Sequence, residues 1–342
     1  MKKFLLVSGI MFCFSANVFS AKAPDWLNGS SKQFPDKDYI IGVGIAQNLD
    51  NARSNARAEI AKIFRVTISQ VSESSQSETT SVKERAVKSF GEAKSESKTR
   101  VSTDEVIQGI KIAQTYFDKK KKTYYALATL DKKKARAMLS DQIAGQEAII
   151  NNGLMGAMQS ESAVEKVRFL TAANDAFDKE EELVSKRKIV DPISVPEISA
   201  LPREALRAKL DVAKSKVIFI VNSSDNDNLK SAISERITRL GFKIAPVDSA
   251  NKYADNTIIY VKCALSVEPA ERNNPTWKFY NWSGTYSISE GSESGKVVAA
   301  AEKRGQVSQL NEEASKDKGI VLGGQELALA VGQAIRQYMF GK

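Results

Sequence analysis

One change of hydrophobic period constrains this chain more than any other feature. Residues 39–46, YIIGVGIA, are apolar on both faces apart from their glycines, which predicts a buried strand. From Asn48 or Asp50, both good N-caps, apolar residues then recur at Leu49, Ala52, Ala56, Ile60 and Ile63. Those spacings of three and four make one helical stripe, with Arg53, Arg57 and Arg65 off it and toward solvent. A strand running through Gly42 and Gly44 into a helix also has the outline of a nucleotide site. That fingerprint needs a third glycine where Gln47 stands, and Asp50 places negative charge where phosphate would sit. No G-x-x-x-x-G-K-[S/T] sequence occurs either. The glycines read as packing positions that let the helix cross close to the strand.

The first twenty residues stand apart from any fold argument. Lys2 and Lys3 precede a mostly apolar stretch from Phe4 to Phe14, and Val18-Phe19-Ser20, followed by Ala21, has the form of a signal-peptidase site. The expectation is a cleaved secretory signal peptide over 1–20, too short to cross a bilayer, which takes about 20 apolar residues. Cys13 follows the bulky Phe12, so it lacks the small residue that a lipoprotein acylation site requires. Losing Lys2 and Lys3 and no acid lowers the net charge from +9 to +7. One cysteine, Cys263, then remains, so no internal disulfide forms and the hydrophobic core must hold the fold. The expected address is the periplasm, with association at the outer membrane left open. No further stretch reads as a transmembrane segment.

Histidine is absent, which removes Ser-His-Asp and Cys-His catalysis, HExxH zinc sites and histidine bases. One cysteine and no histidine leave no N/S set for tetrahedral zinc. The reading is therefore no enzyme, no cofactor and no metal, carboxylates, lysine and tyrosine being the catalytic types still available.

Trp26 sits near the mature start and is expected to pack the N-terminus onto the first domain. Residues 66–106 fit either long thin strands or disorder, being rich in Ser, Thr, Glu and Lys. A hairpin follows: a strand over 112–117, a turn over 118–122 and a strand over 123–130. The four lysines of that turn read as solvated and as a guard against edge pairing. Helical periodicity runs from Asp131 to about Lys188, with Ala135, Met138, Leu139 and Ile143 on one helix and Val164, Val167, Leu170, Ala173 and Phe177 on another. Pro192, Pro196 and Pro202 punctuate a linker. After it come a strand at 217–221, a helix with Leu229, Ile233, Ile237 and Leu240 ended by Gly241, and a strand at 242–247. Three longer strands follow at 257–267, 277–289 and 296–307, then a helix carrying Leu327, Val331, Ile335 and Tyr338. The fold class is α+β: two small domains, at 21–130 and 201–342, joined by a helical and proline-containing segment at 131–200.

Four features compete as sites. The aromatic segment 277–286 puts Trp277 and Phe279 on one face and Tyr280, Trp282 and Tyr286 on the other, so the second trio is the candidate surface for a partner or a glycan. Burial under the flanking helices is the favoured reading of the two, because packing usually buries aromatic residues. The basic residues are dispersed and carry no nucleic-acid motif, so in an exported protein lipid head groups or wall polymers are the expected acidic partners. Glu180-Glu181-Glu182 reads as a solvated helix face and Cys263 as an inert core residue.

Pro24-Asp25-Trp26-Leu27, residues 39–46, the helix with Ala52, Ala56 and Ala61, and residues 124–131 (YYALATLD) resemble the LPP-twenty lipoprotein family of bacterial envelopes, related to the N-terminal domain of the flagellar H-ring assembly protein. The missing lipobox departs from that family. Leu229 to Val247, Ala254-Asp255 and Ser294-Gly295-Lys296-Val297-Val298 resemble the TolB amino-terminal-like fold, found also in lipoprotein activators of penicillin-binding proteins and in the curli secretion channel. Together the resemblances imply a non-enzymatic structural or assembly factor that binds other envelope proteins, in a flagellar or secretion setting, with a homo-oligomer among the allowed states. The alternatives are an activator of peptidoglycan synthesis or a peptidoglycan-binding module, and, further off, a carboxylate-based glycan hydrolase.

Overall fold

The computed structural model describes residues 23–77, 109–194, 202–223, 227–272 and 274–341, without the side chains of 65–77. The chain divides into two compact units, Met1–Ala137 with Ile189–Asp191 and Met138–Lys188 with Pro192–Lys342. Both are α+β.

In the first unit β1 (Tyr39–Ala46), β2 (Lys111–Asp118) and β3 (Thr123–Asp131) form an antiparallel sheet in the order β1-β3-β2. Helix α1 (Leu49–Ser77) covers one face. Ala52, Ala56 and Ile60 are fully buried there, and the stripe continues to Phe64. Ile63, expected on the stripe, is 41% exposed, because Phe64 is the residue four beyond Ile60. The expectation of strand or disorder from Val66 onward is corrected as far as Ser77: once a helix is nucleated, adding a residue costs little, and α1 runs on through Val66, Thr67 and Ile68. Residues 78–106 lie outside the described residues.

β1 is an edge strand, so it is only partly buried, with Gly42 and Gly44 its most enclosed residues and Ile45 53% exposed. The central strand β3 carries the buried run Ala126–Leu130. On the face away from α1 a bulge between Ile112 and Gln114 leaves Gln114 opposite Leu127. There Gln114 Oε1 accepts from the Trp26 indole at 2.5 Å, while its amide donates to Gln33. Trp26 is 1% exposed and stands in a 3-10 turn, Asp25–Asn28, that closes this face.

The second unit begins within helix α2 (Lys132–Gln159) and continues through α3 (Ala163–Val190) and α4 (Arg203–Ser215). Its sheet has the order β5-β4-β6-β7-β8, built from β4 (Val217–Ser223), β5 (Lys243–Ala245), β6 (Thr257–Pro269), β7 (Lys278–Glu290) and β8 (Lys296–Gln309). β4 pairs in parallel with β5 and β6, and the remaining pairs are antiparallel. Helix α5 (Asp227–Arg239) joins β4 to β5, and Gly241, at φ +86°, ends its last turn in the left-handed region. The last helix, α6 (Glu312–Phe340), starts at the N-cap Asn311, whose side chain accepts from Ala314 N at 2.7 Å. One continuous core joins Val167, Leu170 and Phe177 of α3 with Phe219, Ile233, Ile259, Ile288, Leu327 and Val331. Among the described residues no helix is long and apolar enough to cross a membrane.

Candidate functional site

Gly42 and Gly44 hold no ligand-sized space. A Cβ on Gly44 would lie 2.0 Å from the Ala52 carbonyl oxygen, and one on Gly42 2.5 Å from that of Ala56. The glycines are spent on bringing β1 against the backbone of α1. The first turn of α1 is occupied from within, since Asn48 Oδ1 accepts from Asn51 N at 2.7 Å.

Tyr280, Trp282 and Tyr286 lie on the core face of β7, under α6. Tyr280 and Trp282 are 9% and 8% exposed and cluster with Val307, while Tyr286 is half-buried against the main core. Gly305 and Gly323 leave the room for the Trp282 indole, since a Cβ on either would lie within 3.0 Å of its ring. The candidate platform is thereby corrected in favour of burial: Tyr280 and Trp282 are covered, the Trp282 indole lying against Gly305 of β8 and Gly323 of α6. The reason is that α6, whose Leu327 touches Gly284, supplies the apolar cover this face requires. Trp277, from the other set, is 44% exposed.

The carboxylates expected to form a solvated face on α3 are at most partly exposed and are held in contacts. Glu180 is fully buried, Glu182 meets Lys186 Nζ at 2.9 Å, and Glu181 and Asp178 both receive the Arg203 guanidinium. Burial raises the Glu181 pKa against the opposing pull of Arg203. This grouping ties α4 to α3, and it arises because α3 is enclosed along its second half, where an acid persists only beside a cation. Cys263 is 1% exposed in the core of β6, and burial pushes its thiol up to about 12, which leaves it protonated and unreactive at neutral pH. Among the described residues no three of His, Cys, Asp or Glu come together as a metal set.

The sequence reading did not single out the outer side of β6–β8. The registers place Lys262, Ala264, Ser266 and Glu268 beside Asn281, Ser283, Thr285 and Ser287, and these beside Ala300, Glu302, Arg304 and Gln306. Arg304 donates from Nε and Nη2 to the two oxygens of Glu302, at 2.5 and 2.9 Å, and Ser283 Oγ donates to the same carboxylate at 3.0 Å. These hydrogen bonds hold the Glu302 carboxyl below its ordinary value. Gln306 donates to Asn281 at 2.8 Å. β8 is the last strand of the sheet, fourteen residues long, and among the described residues nothing pairs with its outer edge. The signal was present in the alternation of 296–309, where charged and small residues take every second position without an apolar face of their own.

Comparison with known proteins adds the following. Residues 24–131 match the LPP20 lipoprotein family model, which spans about a third of the chain. No curated protein matches the chain by sequence. Among solved structures, the secreted protein HP1454 of Helicobacter pylori aligns over 90% of this chain and 100% of its own, with 13% identity and a TM-score of 0.42. A minor lipoprotein of Acinetobacter baumannii aligns over 34% of this chain and 89% of its own, at 11% identity and a TM-score of 0.25. The PelC dodecamer of Paraburkholderia phytofirmans aligns over 37% and 90%, at 10% identity and a TM-score of 0.24.

Proposed function

We propose that this protein is an exported, non-enzymatic component of a bacterial cell envelope that assembles with other envelope proteins. The leader-like start of the sequence and the match of residues 24–131 to LPP20 lipoproteins support the address. The observation that carries the binding role is β8. A fourteen-residue edge strand offers a row of unpaired backbone donors and acceptors, onto which an extended segment of a partner adds as a further strand. Glu302, Lys303 and Arg304 stand in its middle, where their charges oppose indiscriminate pairing and select a partner of complementary sign. The second unit, read as TolB amino-terminal-like, thus supplies the docking edge.

The test is photo-cross-linking from Ala300 on β8, with the exposed Lys209 of α4 as control position. A defined envelope-protein adduct is expected from Ala300, absent from Lys209 and lost on Lys303→Glu with Arg304→Glu. Adducts indifferent to position or to these charges would sink the reading.

A further inference from the structure

The tip of hairpin β2–β3 combines charge and aromatic rings in one place. Lys119, Lys120, Lys121 and Lys122 are all exposed there. The turn that carries them is ordered: Asp118 Oδ1 accepts from Lys120 N at 2.9 Å and from Lys121 N at 3.1 Å, and Lys122 sits in the left-handed region at φ +49°. Behind the turn, Phe117 pairs with Tyr124, their rings 4.5 Å apart, and Tyr116 pairs with Tyr125 at 6.1 Å. Tyr125 also pairs with Ile45 on β1. Side chains alternate along a strand, so Ile45, Tyr125 and Tyr116 cross one face of the sheet and Tyr124 and Phe117 the other. Ile45 is 53% and Phe117 41% exposed, and the three tyrosines are half-buried. Among the described residues the acids at this end are Asp118, held in the turn, and Asp50, which pairs with Arg53 at 3.3 Å, so these residues leave the end positive.

We propose that this lysine-tipped end of the first unit docks on an anionic phospholipid surface, lysines among the head groups and the ring band at the boundary with the acyl chains. A ring strip on one face would fit a groove in a protein. Rings on both faces behind a cationic tip instead fit entry into a plane, where tyrosine and phenylalanine take the interface and lysines reach outward to phosphate.

The purified protein is tested by sedimentation with vesicles of phosphatidylcholine alone and of phosphatidylcholine with phosphatidylglycerol. Binding to the anionic vesicles only is expected, released as salt rises from about 0.1 M to about 1 M, since the Debye length falls from about 10 Å to about 3 Å. The triple variant Lys119→Gln, Lys120→Gln, Lys121→Gln changes only exposed side chains and is expected to bind on the order of 100-fold more weakly, about fivefold per lysine. Phe117→Trp is expected to show a blue-shifted emission on vesicle binding. Equal binding to neutral vesicles, full binding by the triple variant, or capture of RNA or polyphosphate in place of anionic vesicles would overturn the proposal.

Discussion

Gly44 and Ala52 touch through their backbones, with 2.0 Å between a Cβ built on the glycine and the alanine carbonyl oxygen. No side chain fits, because the obstacle is main chain that cannot rotate away. Gly44→Ala is therefore expected to destabilise the protein by about 3 kcal/mol or more, and Gly42→Ala by somewhat less. Gly145, exposed on α2 with nothing within 4 Å of its Cβ position, is the control: alanine there is expected to stabilise by about 0.5–1 kcal/mol. Urea unfolding followed by circular dichroism measures all three.

Trp26 closes the second face of the small sheet through its ring and through its bond to Gln114. Trp26→Ala is expected to cost about 3–5 kcal/mol. Trp26→Phe keeps most of the packing but leaves Gln114 Oε1 without its donor, for about 1–2 kcal/mol. Midpoints of chemical unfolding that are equal for the two variants would contradict this division.

Arg168 and Tyr338 lock α3 to the end of α6. The guanidinium donates from Nε to the Tyr338 carbonyl at 2.8 Å and lies 5.1 Å from its ring centre, while the phenol donates to Glu290 at 2.7 Å. Arg168→Ala is expected to cost about 1–3 kcal/mol and to speed hydrogen exchange in the last turn of α6. Tyr338→Phe removes the bond to Glu290 alone and is expected to cost about 1 kcal/mol.

Cys263 makes an alkaline prediction. Its folded pKa of about 12 lies above the ordinary 9.0, so as pH rises between the two the unfolded thiol loses its proton first. The unfolded state then binds fewer protons, and the stability this group contributes, complete below pH 9, is lost as pH approaches 12. Tyr286 and Tyr338, also raised by burial, act in the same direction, and Lys214, lowered by burial, acts against them. Cys263→Val is expected to flatten the decline of melting temperature across that window. The native thiol is expected to stay unmodified by a thiol reagent at pH 8 and to react once the chain is unfolded.

Much of the fold was legible wherever burial was one-sided. The hairpin over 111–131, the strand order in the chain after residue 217 and the stop at Gly241 all follow from periodicity and turn chemistry that act locally. The reading stayed divided, or failed, where a neighbour distant in sequence decided the outcome. Tyr280 and Trp282 alternate as an outward platform does, and only α6, arriving thirty residues later, makes theirs the covered face. Glu180 looks solvated in a charged run, and the packing around α3 buries it.

The amino-acid sequence by itself determined that Gly42 and Gly44 serve packing, because a missing third glycine and an acid at the helix start are local facts. It likewise determined that the chain carries no histidine chemistry and a single cysteine outside its leader-like start. Only the tertiary structure decided which face of β7 is core, that β8 stands at an edge left open among the described residues, and that Ile45 joins the rings of Tyr116 and Tyr125 behind four lysines. These are pairings between segments up to about eighty residues apart. Hydrophobic patterning says that a face must be covered, and three-dimensional packing chooses the cover.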